Sequence, residues 1–425
     1  MKTPRCLPFP LVLLWSCLLA SGTAAQPARP PATAVAADDL TVYVMTFAPG
    51  DEPWEKFGHI ALCVRERGGA DVAYNWGMFD FAADNFVANF IQGRMTYWME
   101  GFDAGAMADL YVREGRSVWV QVLNLTPDEE RRLAADLARN ASPENKYYRY
   151  DYYHDNCSTR VRDAIDRATN GAVAAALKDE PTHPSFRYHT RRLSKGSVWL
   201  YTFLQTVMGR SIDRPTTLWE ECFLPEKVKK FLPRVTVTGP DGRAASLVAS
   251  EGPYGSIPWP KEDLPPSRYW IAYAAGGVLF AAVVIACAAW WSPVARAGFT
   301  LATIGWALTF GLIGVIGTWG WIGTDHTVAR HNVSLLMASP LLFALVVVGP
   351  LVAWSRKGRG RKALAVIAYG TAATTVLGAI LNYVPSLHQV IPEVIAVLVP
   401  ANLGLALATY LILKRREPSP LEPGV

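Results

Sequence analysis

The chain has 425 residues, of which 51% are hydrophobic and 18% charged, with a formal net charge of +5 when histidines are neutral. That balance excludes a disordered or wholly water-soluble chain and puts part of it in lipid. It makes no case for nucleic acid, because eight basic residues in two clusters, Arg356 to Lys362 and Lys414 to Arg416, more than account for the excess.

Lys2 and Arg5 precede an apolar stretch from Leu7 to Ala20, followed by the small residues Ser21 to Ala25. Residues 1–25 therefore read as a secretory signal cleaved near Ala25. An uncleaved anchor and a lipidated Cys17 are the alternatives. Residues 26–37, rich in Pro and Ala, read as a mobile segment. From 38 to 250 the composition is that of a globular unit of roughly 210 residues, enough for its own core.

Within that unit, Leu40 to Phe47 and His59 to Arg65 have strand composition. Gly68-Gly69 then turns the chain into Val72 to Trp76, giving a hairpin. Val118 to Leu123 is a further strand. Thr126-Pro127-Asp128-Glu129 supplies an N-cap, a proline at the first helical position and an acidic first turn, so a helix runs to about Arg139. A last helix begins at Asn156 or Cys157 and ends near Ala168. The pattern is α+β.

Residues 251–268 form a Pro-rich linker, extended and semi-rigid. Residues 269–413 hold five apolar stretches: Tyr269 to Trp291, Phe299 to Trp319, Val333 to Trp354, Ala363 to Tyr383 and Val390 to Leu413. Each is close to the roughly 20 residues a helix needs to cross a bilayer, so they read as an all-α bundle of five transmembrane helices. The basic clusters fall between the third and fourth spans and in the tail, 414–425. Both belong in the cytoplasm. An odd number of spans then leaves everything before Tyr269 outside, in agreement with the signal.

Four of the six cysteines lie in apolar stretches or in a polar motif, which leaves Cys63 and Cys222 as the pair that an oxidising compartment would allow to join. Cys157 sits where an aromatic-rich stretch, Tyr147 to Tyr153, gives way to a helix, with Asp155, Asn156, Ser158 and Thr159 around it. First-turn N–H groups there favour an anion, so the helix start is expected to lower the thiol pKa and to stabilise an oxyanion. Cys157 is the candidate nucleophile; a buried structural cysteine is the alternative.

A thiolate nucleophile needs an imidazole to take and return its proton. His59, beside Gly58 in an otherwise apolar strand, is the candidate base. Asn75 and Asp80, from the partner strand and the turn after it, are possible orienting groups. His154 suits stacking or capping, and His183 and His189 fall in a loop where solvation is expected. His326 and His331 are five apart rather than four, so no metal is expected, and no cofactor.

Taken together, Gly58-His59-Ile-Ala-Leu, Tyr74-Asn75-Trp-Gly-Met-Phe-Asp80-Phe, Phe90-Ile-Gln-Gly93, Gly115-Arg116, Leu123-Asn-Leu-Thr126, Asp155-Asn-Cys157-Ser-Thr-Arg160 and Phe223-Leu-Pro225 resemble the Lnb-type lipoprotein N-acyltransferases. His326-Thr327, Asn332-Val-Ser-Leu-Leu and Pro340-Leu341 look like that family's membrane signature. Serine at 158, where threonine is expected, is a mild departure. The resemblance implies a periplasmic domain related to a permuted papain-like thiol fold, anchored in the bacterial inner membrane. It implies that an acyl chain moves from a phospholipid donor, through a thioester on Cys157, to the α-amino group of a diacylated lipoprotein. His326, Arg330 and Asn332, in an outer loop, would bind substrate, with Arg330 on a phosphate. A membrane-anchored cysteine peptidase or amidase would use the same dyad, and a scaffold with a structural Cys157 would use neither.

Overall fold

The computed structural model describes residues 40–80, 85–355 and 358–415. The secretory signal and the mobile segment expected before residue 38 lie outside the described residues, as do Arg356, Lys357 and Arg416. The N-terminal domain is built on strands β1 (Leu40–Phe47), β2 (His59–Glu66), β3 (Asp71–Met78), β4 (Thr96–Asp103), β5 (Val118–Leu123), β6 (Tyr147–Arg149) and β11 (Val248–Tyr254), in the spatial order β11-β5-β1-β2-β3-β4-β6. Every neighbouring pair is antiparallel. Between them in sequence, β7 (Pro181–Ser185) pairs with β8 (Pro215–Thr217), and β9 (Thr236–Thr238) with β10 (Ala244–Ser246).

Strand alternation sorts the sheet into two covered faces. Val42, Val44, Ile60, Leu62, Val72, Tyr74 and Trp76 point to a core completed by Leu133, Leu137, Val161 and Ile165. The first two of those come from helix α3 (Pro127–Asn140), the last two from α4 (Cys157–Ala168). Tyr43, Met45, Phe47, Ala61, Cys63 and Ala73 face the other way, against Ala104, Met107 and Ala108 of α2 (Ala104–Arg113). A short helix, α1 (Phe86–Gln92), precedes β4. The Thr126 cap forms as a full capping box with Glu129.

Cys63 and Cys222, the pair left open to join, are both free, because they pack into cores on opposite faces of the sheet. The Pro-rich stretch also differs from a plain linker at its start. Val248–Tyr254 pairs along β5 as an edge strand, where a proline's missing donor is tolerated. Nor is α4 the last helix of this part of the chain. Phe186–Ser194 (α5) and Val198–Val207 (α6) follow it, and His189, expected to be solvated, is buried on α5 and accepts from Arg192 Nε at 3.0 Å.

Among the described residues, five helical segments are long and apolar enough to cross a membrane: Tyr269–Trp290, Pro293–Ile322, Ser334–Trp354, Arg361–Leu381 and Pro392–Lys414. The N-terminal domain is docked on them as well as joined to them. Arg191 Nη2 donates to Glu393 Oε1 at 2.6 Å, where the Tyr201 hydroxyl also donates at 3.0 Å. Gln389 Nε2 donates to the Met208 carbonyl at 3.1 Å. Buried charge-assisted bonds of this kind fix orientation, because breaking one leaves a buried charge without its partner.

Candidate active site

Asn156 explains why the helix starts at Cys157. Its side-chain oxygen accepts from the N–H groups of Ser158 (2.8 Å) and Thr159 (2.9 Å), and the Thr159 hydroxyl accepts from the Asn156 N–H (2.8 Å). Its amide nitrogen donates to the carbonyls of Tyr152 (3.0 Å) and Phe223 (2.9 Å), which ties the Asn-Cys-Ser-Thr run to the Phe-Leu-Pro run. The cap therefore sets both the helix and the position of the sulfur.

That sulfur rests against β2. The backbone N–H of Ile60, the residue after His59, favours its thiolate, as do the N–H groups of Ser158 and of Cys157 itself. On the neighbouring strand Gly77 has φ +93° at a bulge, and a Cβ there would lie 3.7 Å from Cys157 Cβ. Glycine is favoured by that backbone conformation, which brings β3 close to the thiol.

His59 lies opposite Phe47 in the β1–β2 ladder, with its ring 5.9 Å from Phe47 and 6.3 Å from Tyr111. Asn75 orients it. The Asn75 nitrogen donates to the Ala73 carbonyl (3.0 Å), so the side-chain oxygen faces His59 and accepts from Nε2–H at 2.9 Å. This tautomer leaves Nδ1 as the ring's lone-pair nitrogen. Asp80, the other orienting group read from the sequence, is exposed two residues past the end of β3. Arg116 supports the same corner from a buried position: it donates to the Ala48 carbonyl (2.9 Å) and Glu55 (3.0 Å), and lies 4.4 Å over the Tyr111 ring.

Electrostatics here differ from the sequence reading. Burial pushes the Cys157 thiol up to about 12, outweighing the backbone N–H groups that pull it down. Burial also pulls His59 down to about 4, the Asn75 bond opposing and the Arg116 charge reinforcing it. At neutral pH both groups are uncharged. The helix start was expected to win, but its partial charge is small beside the desolvation of a thiolate.

Two tyrosines that the sequence reading left out face this site. The Tyr148 hydroxyl is buried and meets no hydrogen-bond partner among the described residues. It lies 3.9 Å from where a Cβ on Gly77 would be, on the side of Cys157. The signal for it was the alternation along Tyr147–Arg149, a single-residue pattern in a three-residue strand. Tyr150 borders both the thiol's surroundings and a cavity of about 370 Å³.

That cavity is lined by Met95, Arg149, Tyr150 and Tyr152 of the domain and by Asp325, His326 and Arg330 of the loop between the second and third spans. Arg94 and Arg149 hold Asp325 below the usual carboxylate range, and each reaches it at 3.0 Å. His326 donates from Nε2 to the Phe90 carbonyl at 2.9 Å and stacks on Tyr152. Asn332, grouped with these residues from the sequence, is 2% exposed. Its amide donates to the Thr206 carbonyl and accepts from the Ser334 N–H, so it joins the domains and leaves the cavity to His326 and Arg330. Among the described residues no group of three His, Cys, Asp or Glu side chains is placed to hold a metal ion.

The fold and site define a membrane-anchored α+β domain with a cysteine at a helix start and, on strand β2, a histidine held by Asn75. Residues 28–195 match the family model described as the Lnb N-terminal periplasmic domain, which supports a likeness to the Lnb-type family over that part of the chain. No curated protein and no solved structure matches it.

Proposed function

We propose that the protein is a thiol-dependent acyltransferase that moves an acyl chain from a phospholipid to the α-amino group of a diacylated lipoprotein. The observation that carries this is the effect on the Cys157 thiol of the backbone of Ile60, the residue that follows His59 in β2, together with the Asn75 bond that orients the His59 ring. His59 Nδ1 takes the thiol proton as sulfur attacks the ester carbonyl. The tetrahedral oxyanion is met by the Cys157 backbone N–H and the Tyr148 hydroxyl. The bond from carbonyl carbon to glycerol oxygen breaks, and His59 returns its proton to that oxygen, leaving a thioester. The incoming amine attacks the thioester and passes a proton to His59. The carbon–sulfur bond then breaks, giving an amide, and the sulfur recovers the proton.

The cavity sets Arg149 and Arg330 against Asp151 and Asp325, and with Arg149 paired to Asp325 we assign Arg330 as the contact for a phosphate headgroup. The order of a histidine strand before a cysteine helix supports the relation to a permuted papain-like fold. The basic residues Arg359, Arg361, Lys362 and Lys414 support an inner-membrane orientation with the C-terminus in the cytoplasm. The experiment is to incubate the full-length protein with phospholipid vesicles and look for a hydroxylamine-sensitive acyl group on Cys157. We expect it in the wild type and not in His59→Ala. Released fatty acid with lipoprotein N-termini left unchanged would point to a hydrolase instead.

A further inference from the structure

Helix α1 is seven residues long, none of them buried, and Val87, Phe90 and Ile91 are 64%, 44% and 52% exposed. A run this apolar, with Val87, Phe90 and Ile91 open to their surroundings, is costly in water. It is also fixed in place. The Asp325 N–H donates to the Gln92 carbonyl (2.9 Å), and His326 Nε2 donates to the Phe90 carbonyl. Gly93, with φ +71°, closes the helix against this loop, where a Cβ would meet His326 N at 2.8 Å. The second span ends at Ile322, so Asp325 lies at most about 10 Å of chain beyond it. Exposed Trp319, Trp321 and Ile322 mark that end of the span. Helix α1 therefore sits at the level where headgroups meet acyl chains.

From α1 an aromatic row leads inward. Phe90 lies 6.3 Å from Phe86, Phe86 5.9 Å from Phe79, and Phe79 5.2 Å from Tyr97. Tyr97 lies 4.4 Å from Tyr150 and Tyr150 6.5 Å from Tyr148, whose hydroxyl reaches the side of Gly77 that faces Cys157. We propose that α1 is an interfacial helix embedded in the outer leaflet and that this aromatic row is the path along which a phospholipid acyl chain reaches Cys157. The path rests on the acyl-transfer reading above, whereas the embedding does not. The charged wall of the cavity and the apolar wall of α1 meet at Gly93, so one amphipathic lipid fits both.

Two measurements on the full-length protein test this. With Phe90→p-benzoylphenylalanine in native membranes, irradiation should give a phospholipid adduct at position 90. Adducts to protein alone, or none, overturn the embedding whatever the chemistry at Cys157. In vesicles, Val87→Glu/Ile91→Glu should lower acylation of Cys157 by long-chain phospholipid at least tenfold. A water-soluble butyryl thioester should still acylate it at the wild-type rate. Equal losses with both donors, or no loss with either, overturn the path. A wild-type protein that neither donor acylates overturns the acyl-transfer reading and the path together.

Discussion

Because burial holds Cys157 near 12, its reactivity toward a simple alkylating agent is predictable. At pH 7.5 such a thiol is ionised to about 3 parts in 100,000, against about 3 in 100 for an ordinary thiol near 9, a deficit of about 1,000-fold. The more basic thiolate is the better nucleophile, and a Brønsted slope of roughly 0.45 over the three units recovers about 20-fold. Iodoacetamide should then modify Cys157 about 50-fold more slowly than an unperturbed cysteine, before any effect of access. The rate should also climb about tenfold per pH unit from 7 to 10 without levelling. The assay is mass spectrometry of the Cys157 peptide after timed labelling of the full-length protein. His59→Ala should leave this profile unchanged while abolishing acylation, since alkylation of a thiolate needs no base. A plateau below pH 8 that vanishes in His59→Ala would reveal a preformed thiolate–imidazolium pair and refute the neutral resting state.

Three other outcomes follow from the same contacts. Asn75→Ala removes the acceptor that fixes the His59 tautomer, so acyl-enzyme formation should fall about 100-fold while a simple thiol probe still labels Cys157. Tyr148→Phe removes no hydrogen bond within the described residues, so the melting temperature should hold. Acylation should drop about 100-fold, with alkylation unaffected, if the hydroxyl serves the oxyanion. The depressed His59 stays neutral in the fold while the unfolded chain takes a proton below 6.5, so stability should be lost as pH falls from 6.5 to about 4. The size is about 3 kcal/mol, and thermal unfolding of His59→Gln should lack that slope.

How far the sequence reached depends on how local each signal is. The β2–β3 hairpin, the Thr126 cap, the helix starting at Cys157 and the five apolar spans are each encoded in contiguous residues, and each is found near its expected place. Asn75 was legible as a partner for His59, though equally with Asp80, because alternation along β3 does not say which side chain turns toward β2. The thiol's protonation was not legible. It depends on burial by residues such as Tyr148 and Tyr150 together with β2, a sum over distant segments, whereas the helix start is visible in four letters. Strand β4 was missed for a related reason: its aromatic residues join the sheet only after β1 to β3 have assembled.

The neutral resting state and the docked membrane domain are two parts of one requirement. A thioester exposed to bulk water would be hydrolysed, and a permanent thiolate there would also be oxidised. On the proposed mechanism, a pair that is uncharged until an ester carbonyl arrives would avoid the second hazard, because the charge forming in the transition state would be met by the Cys157 N–H and Tyr148 only when substrate is present. The first hazard is limited by what surrounds the site. Asp325 and His326 of the membrane domain form one wall of the adjoining cavity, so acyl donor and amine acceptor would both come from the lipid side. On this argument the bonds that dock the domain matter to transfer over hydrolysis. Loosening them through Arg94 and Arg149 would raise the share of acyl groups lost to water before it slowed formation of the thioester.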